Sequence, residues 1–135
     1  MIGASANAYR TVQVTTASPA QLVVQLFEGA ARFIEQGIQA IERRDLEQAH
    51  TALVRAQAII AQLRASLDRE VGPLADQLDG LYDYFFRRLV LANVEKDAAP
   101  AREVLGYIRE LLAAWREVAR QGLTGPEPVP VDVRA

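Results

Sequence analysis

Apolar residues recur along this chain at steps of three and four positions in four long blocks. That spacing gathers them into one stripe on an α-helix. The first block reads Val23, Phe27, Ala30, Ile34, Gly37, Ile41, and the second Leu46, Ala49, Leu53, Ala56, Ile60, Leu63, Leu67. The third reads Leu74, Leu78, Leu81, Phe85, then Leu89 and Ala92; Arg88 stands where a strict repeat would continue, so the register drifts at that turn. The fourth reads Leu105, Ile108, Leu112, Trp115, Ala119. Each block has a start signal. Ser18-Pro19-Ala20-Gln21 combines a cap, a proline suited to the first helical position and the partner residue of a capping box. Asp45 with Gln48 opens the second helix, Pro73 the third and Pro100 the fourth. The second helix is expected to end over Glu70 to Gly72, the third in a loop over Glu95 to Ala99, and the fourth at Gly122.

Four helices of about 20–24 residues are each on the order of 30–36 Å long. Short connections force sequential helices to be antiparallel. The expected fold is therefore all-α, an antiparallel up-down four-helix bundle over residues 17–122. An N-terminal extended arm, residues 1–16, precedes it, with Val12 and Val14 in alternation. A loose tail, residues 123–135, follows it and contains Pro126, Pro128 and Pro130.

Composition narrows the function. At 50% apolar residues the chain can bury a core without metals or disulfides. A net charge of −2 and a pI near 5.4 leave no basic stripe to neutralise phosphates, which argues against nucleic acid. No cysteine is present, which excludes a disulfide framework or thiolate metal site and suits a reducing cytosol. Met1 to Arg10 lacks the basic-then-apolar pattern of a secretory signal, and no apolar run approaches the roughly 18 residues of a membrane span.

Residues that could carry chemistry are few. Glu47-Gln48-Ala49-His50 has the Glu-x-x-His spacing of di-iron bundles, but it occurs once and His50 is the sole histidine, so an exposed surface pair is expected. Asp76, Asp79 and Asp83 share one side of the third helix without a calcium-loop glycine, and a solvated acidic edge is expected there. No Gly-rich phosphate loop occurs. Neither an enzyme nor a cofactor is expected. On the fourth helix Arg102-Glu103, Arg109-Glu110 and Arg116-Glu117 repeat every seven residues and read as a solvated face.

What remains is a surplus of apolar surface. A bundle helix needs about three apolar positions in seven. The second and fourth helices fit that proportion, whereas the first adds Leu22, Val24, Leu26, Phe33 and Ile38, and the third adds Tyr82, Tyr84, Phe86, Val90 and Leu91. Large uncovered apolar patches on a monomer mark binding sites. The surplus predicts a groove for apolar helices of a partner; a self-associating homodimer would use the same surface.

Three separated blocks also resemble a known family. Ala8-Tyr9, Val12, Val14 and Thr16-Ala17-Ser18-Pro19 are similar to the opening signature of the flagellin export chaperones, the FliS family. Leu22 to Ala31 resembles the next block, with Phe27 where tyrosine is common and Glu28 where aspartate is common. Leu81-Tyr82-Asp83-Tyr84-Phe85-Phe86-Arg87-Arg88-Leu89-Val90-Leu91-Ala92-Asn93 is the most specific block, and Trp115 also fits. The resemblance runs from about Tyr9 to Gln121. It implies a bacterial cytosolic chaperone that binds the disordered C-terminal segment of flagellin, keeps it from polymerising and delivers it to export-gate components of the flagellar type III apparatus. The expected partner-binding residues are Tyr9, Leu22, Leu26, Phe27, Phe33, Tyr82, Phe86, Leu89, Val90 and Asn93. The free protein is expected to be a monomer or weak homodimer, without nucleic acid or membrane insertion. Because the four stripes are nearly complete in themselves, circular dichroism of the isolated protein should show high helix content and one cooperative melt. A gradual loss of signal would mean that the partner completes the core.

Overall fold

The computed structural model describes residues 18–68, 70 and 72–122. The arm, with Tyr9, and the tail lie outside them. Four helices follow in order: α1 (Pro19–Glu42), α2 (Leu46–Ala65), α3 (Pro73–Glu95) and α4 (Ala98–Gly122). Two starts form as the sequence prescribes. Ser18 Oγ accepts from the Gln21 N–H at 3.1 Å while Gln21 Oε1 accepts from the Ser18 N–H at 2.9 Å, a complete capping box. Asp45 Oδ1 accepts from the Gln48 N–H at 3.1 Å. Gly72, at φ 110°, takes a conformation that side chains with a Cβ rarely adopt and leads the chain into Pro73.

Two boundaries differ from expectation. α2 ends at Ala65, before Glu70–Gly72, where the Ser66 hydroxyl donates to the Leu63 carbonyl at 2.8 Å and closes the last turn. Leu67 thus leaves the helix yet still packs against the core. α4 begins at Ala98 rather than Pro100, because Asp97 Oδ1 accepts from the Ala99 N–H at 3.0 Å and acts as a cap. Pro100 then falls in the first turn, where its missing N–H has no intrahelical partner to lose.

The turns at 43–45 and 96–97 reverse the chain. Side-chain pairs fix the remaining directions. On α1, Glu28, Glu35 and Glu42 meet Arg116, Arg109 and Arg102 of α4, so each seven-residue step up one helix matches a seven-residue step down the other. This antiparallel ladder corrects the reading of the fourth helix's charges as merely solvated. Each pair is half-exposed and contributes little energy, but together they specify alignment. Helix contacts run α1–α2–α3–α4 and back to α1, a closed ring in which α3–α4 is the least extensive interface.

Inside the ring Phe27, Ile34, Leu53, Ile60, Leu63, Phe85, Leu89, Val104 and Ile108 are fully buried. A chain of aromatic rings crosses it: Phe27 to Tyr82 at 6.4 Å, Tyr82 to Phe85 at 6.3 Å, and Phe85 stacked on Tyr107 at 5.8 Å. Leu46 and Leu74, expected in the buried stripes, are about half exposed. Both sit in a first turn at the bundle's ends, where the facing helices also stop.

Glycines separate tight from loose packing. A Cβ at Gly37 would lie 2.7 Å from Leu53 Cδ2 and 2.8 Å from its Cγ, whereas one at Gly80 or Gly106 would meet nothing within 4 Å. Gly37→Ala should therefore lower stability by about 1–3 kcal/mol through overpacking, even after its gain in helix propensity. Gly80→Ala and Gly106→Ala should each raise it by roughly 0.5–1 kcal/mol. Urea denaturation of the three variants checks the opposite signs.

Candidate functional site

The structure divides the expected partner-binding residues into three groups. Phe27 and Leu89 are fully buried, Tyr82 is 3% exposed and Asn93 is 9% exposed, so these four belong to the interior. Leu22, Leu26 and Phe33 are half-buried on α1, with Leu26 and Phe33 packed against the core. Phe86 and Val90 are half-buried on α3, one turn apart on the same face. The surplus counted on the first helix is largely absorbed: Val24, Leu26 and Phe33 pack on the core and Ile38 enters it. Large exposed apolar side chains instead occur on α2 (Leu46, Val54), α3 (Leu74, Val94) and α4 (Tyr107, Val118), and on none of the described residues of α1. The expectation of a surplus confined to the first and third helices is corrected accordingly. α1 is covered on both flanks, by α2 and α4.

The open apolar surface centres on α2 and α3. A groove of about 410 Å³ between them is lined by Ile60, Ala61, Arg64, Ala65, Tyr82 and Phe86. Its α2 wall continues as Val54, Ala58, Ala61 and Ala65, all exposed and spaced to share one face. Its α3 wall continues from Phe86 through Val90 to Val94, which is 75% exposed. Sequence reasoning missed the α2 wall. Alanine is an ordinary helix former, so an outward row of it leaves no surplus to count.

Polar contacts span the groove above and below. His50, Gln57 and Arg64 recur every seven residues on the edge of α2. Arg64 Nε donates to Asp79 Oδ1 at 2.6 Å and its Nη1 to Asp83 Oδ1 at 2.9 Å; Arg87 Nε adds a bond to Asp83 Oδ2 at 2.9 Å. Two of the aspartates expected on a solvated edge are therefore tied across helices. At the other end Lys96 Nζ donates to Asn93 Oδ1 at 3.0 Å, which turns the Asn93 amide nitrogen toward His50 Nδ1 at 2.9 Å. Asn93 thus serves the helix contact. Glu47 and His50 are exposed, and no three potential ligands converge on a metal among the described residues. Gln57, between the two contacts, has a buried Oε1 without a hydrogen-bond partner.

On the other side of α3, Glu103 of α4 accepts from the Tyr84 hydroxyl at 2.6 Å and from Arg88 Nε at 2.9 Å, with the Arg88 guanidinium 5.9 Å from the Tyr84 ring centre. Arg88, which interrupts the apolar stripe, fastens the least extensive interface. The Tyr84 and Arg88 hydrogen bonds hold the Glu103 carboxyl below its ordinary value. Arg87, and then Arg64, do the same for Asp83. The Glu103 contact raises the Tyr84 hydroxyl, burial raises that of Tyr82, and Asp79 is the main cause raising Arg64.

A four-helix bundle with an open apolar groove belongs to the class of folds that offer a surface for a partner. The model of the family "Flagellar protein FliS" matches residues 1–122, and the chain belongs to that family. It is 38% identical over 111 residues to the flagellar secretion chaperone FliS of Bacillus subtilis, covering 82% of this chain and 83% of the relative. It is 39% identical over 113 residues to that of Campylobacter jejuni, covering 83% and 88%, and 38% identical over 108 residues to that of Salmonella typhimurium, covering 78% and 80%. The family is one of chaperones and not of enzymes, in agreement with the expected lack of catalysis. Among the described residues no helix is long and apolar enough to cross a membrane.

The two depressed carboxyls give a pH dependence of definite sign. Their folded-state values lie below the ordinary 4.5 of Glu103 and 3.8 of Asp83, so the unfolded chain takes up protons first as pH falls. The stabilisation is complete above those ordinary values and is lost as pH drops through the folded-state ones. The melting temperature should fall on acidification from about pH 6 to about pH 3, and less steeply for Glu103→Gln, which cannot titrate. Identical slopes in a calorimetric pH series would show that the Glu103 contacts carry no stability.

Proposed function

We propose that this chain is an ATP-independent cytosolic chaperone that binds the disordered C-terminal segment of flagellin, prevents its premature polymerisation and delivers it to the flagellar type III export apparatus. The observation that carries this reading is the apolar α2–α3 groove, in a chain whose relatives are named flagellar secretion chaperones. A segment destined to become helical in a filament exposes an apolar stripe while it waits. Such a stripe fits a groove walled by Val54, Ala58, Ala61 and Ala65 on one side and by Phe86 and Val90 on the other. From residue 54 to residue 65 the wall is about 16 Å long, three turns of a guest helix. Ordering the guest costs about 2–5 kcal/mol, so the contact extends beyond the groove, and the half-buried Leu22 and Leu26 of α1 supply further surface. Tyr82, Phe27, Leu89 and Asn93 act from beneath, as the packing that holds Phe86 and the two helices in place. Tyr9 is proposed to contribute from the arm. No nucleotide is needed, since the sequence has no phosphate-binding loop and the free energy comes from burial of apolar surface.

Val54→Asp and Phe86→Asp should each weaken capture of full-length flagellin by at least about tenfold, since a charge in an apolar contact must be desolvated. Val54 is 41% exposed, so Val54→Asp should leave the melting temperature nearly unchanged. Flagellin lacking its C-terminal segment should not co-purify. Undiminished capture of that truncated flagellin, or by Val54→Asp, would overturn the reading. Light-scattering mass with and without flagellin distinguishes a one-to-one complex from a self-associating bundle.

A further inference from the structure

Eight of the eleven described arginines are paired with carboxylates, and Arg32, Arg44 and Arg55 are the exceptions. Among the described residues Arg43, Arg64, Arg87, Arg88, Arg102, Arg109, Arg116 and Arg120 each have an acidic partner. Arg32 of α1 and Arg55 of α2 instead converge on one aromatic ring. Their guanidinium carbons lie 5.6 and 5.7 Å from the centre of Phe33, and no described carboxylate meets either. Cation–π attraction holds both groups at the ring and leaves their N–H edges for something else.

The surrounding face has the same character. Arg32, Gln36, Gln39 and Arg43 form one row on the exposed side of α1. Gln36, Gln39 and Arg43 line a hollow of about 140 Å³ with Gln48 of α2. The glutamates of α1 point away from it, toward the arginines of α4. Asp45, at the turn, is engaged by the Gln48 N–H and lies 3.9 Å from Arg43. A chain of net charge −2 thus keeps a local face of arginine and glutamine.

We propose that this α1–α2 face is a second interaction surface, one that receives an acidic polypeptide segment of a partner. Arg32 and Arg55 take its Asp or Glu carboxylates through paired N–H bonds. The glutamine amides, donors and acceptors at once, meet its backbone. Phosphate of a nucleic acid is the poorer fit: two arginines at one ring do not follow a regular row of phosphates. The inference does not rest on the α2–α3 groove. It lies on another flank of the bundle, so the two surfaces can be occupied together.

The test uses the full chain and a fluorescein-labelled poly-glutamate peptide followed by anisotropy. Saturable binding is expected, falling at least about tenfold in the double variant Arg32→Gln/Arg55→Gln. It should also fall steeply as salt is raised from about 0.05 to about 0.5 M. Arg120→Gln, which removes a partnered arginine of α4, should bind as the wild type does. Because the altered side chains are exposed, the double variant should keep the wild-type melting temperature and should still capture flagellin. Absence of saturable binding, equal binding by the double variant, or tighter binding of a single-stranded oligonucleotide would each overturn the proposal. Loss of flagellin capture in the double variant would overturn the separateness of the two surfaces.

Discussion

The close approach of α1 and α2 sets the rest of the structure. Leu53 fills the space beside Gly37 that any larger residue would claim, and a Cβ at Gly29 would lie 3.2 Å from Ile59 Cδ1, a looser approach. The same helix, α2, turns alanines inward at 49, 52 and 56 and outward at 58, 61 and 65. The inward alanines let its neighbours come close. The outward ones leave nothing to fill the depression beside α3. One compositional choice therefore gives both a tight spine and an open groove, and the protein needs no insertion or lid to present apolar surface.

The polar pairs divide the remaining work. Burial of apolar side chains supplies most of the stabilisation but is nearly indifferent to small slips of one helix against another. Arg64 with Asp79 and Asp83, Asn93 with His50, and Glu103 with Tyr84 and Arg88 are sensitive to such slips, because each requires particular atoms to meet. Two of these contacts hold the margins of the α2–α3 groove and so keep Phe86 and Val90 at a fixed distance from the α2 wall. The third holds α4 on α3, the least extensive of the four interfaces.

Much of this was legible in the sequence. Ser18 with Gln21 and Asp45 with Gln48 announced two helix starts to the residue, because capping is local chemistry. The core stripes were equally plain, Leu46 and Leu74 at the bundle's ends excepted. The site was harder to read. Phe27, Tyr82 and Leu89 have the same character whether they face a partner or a core, and only the position of the neighbouring helices sends them inward. The outward alanines of α2 were invisible for the opposite reason, being too small to register as surplus. The α1–α4 ladder was present as glutamates at 28, 35 and 42 opposite arginines at 102, 109 and 116, but it emerges only when two distant heptads are compared.

That ladder also acts as a vernier. Sliding α4 along α1 by one turn, about 5.4 Å, leaves every arginine between glutamates and breaks all three rungs together. The next register in which any rungs re-form is a full seven residues away, about 10 Å, and there only two of the three can meet. Near misses therefore gain nothing, and the nearest alternative is both distant and incomplete. Since α2 and α3 lie between α1 and α4 along the chain, a weak set of surface charges becomes a check on the alignment of everything between them.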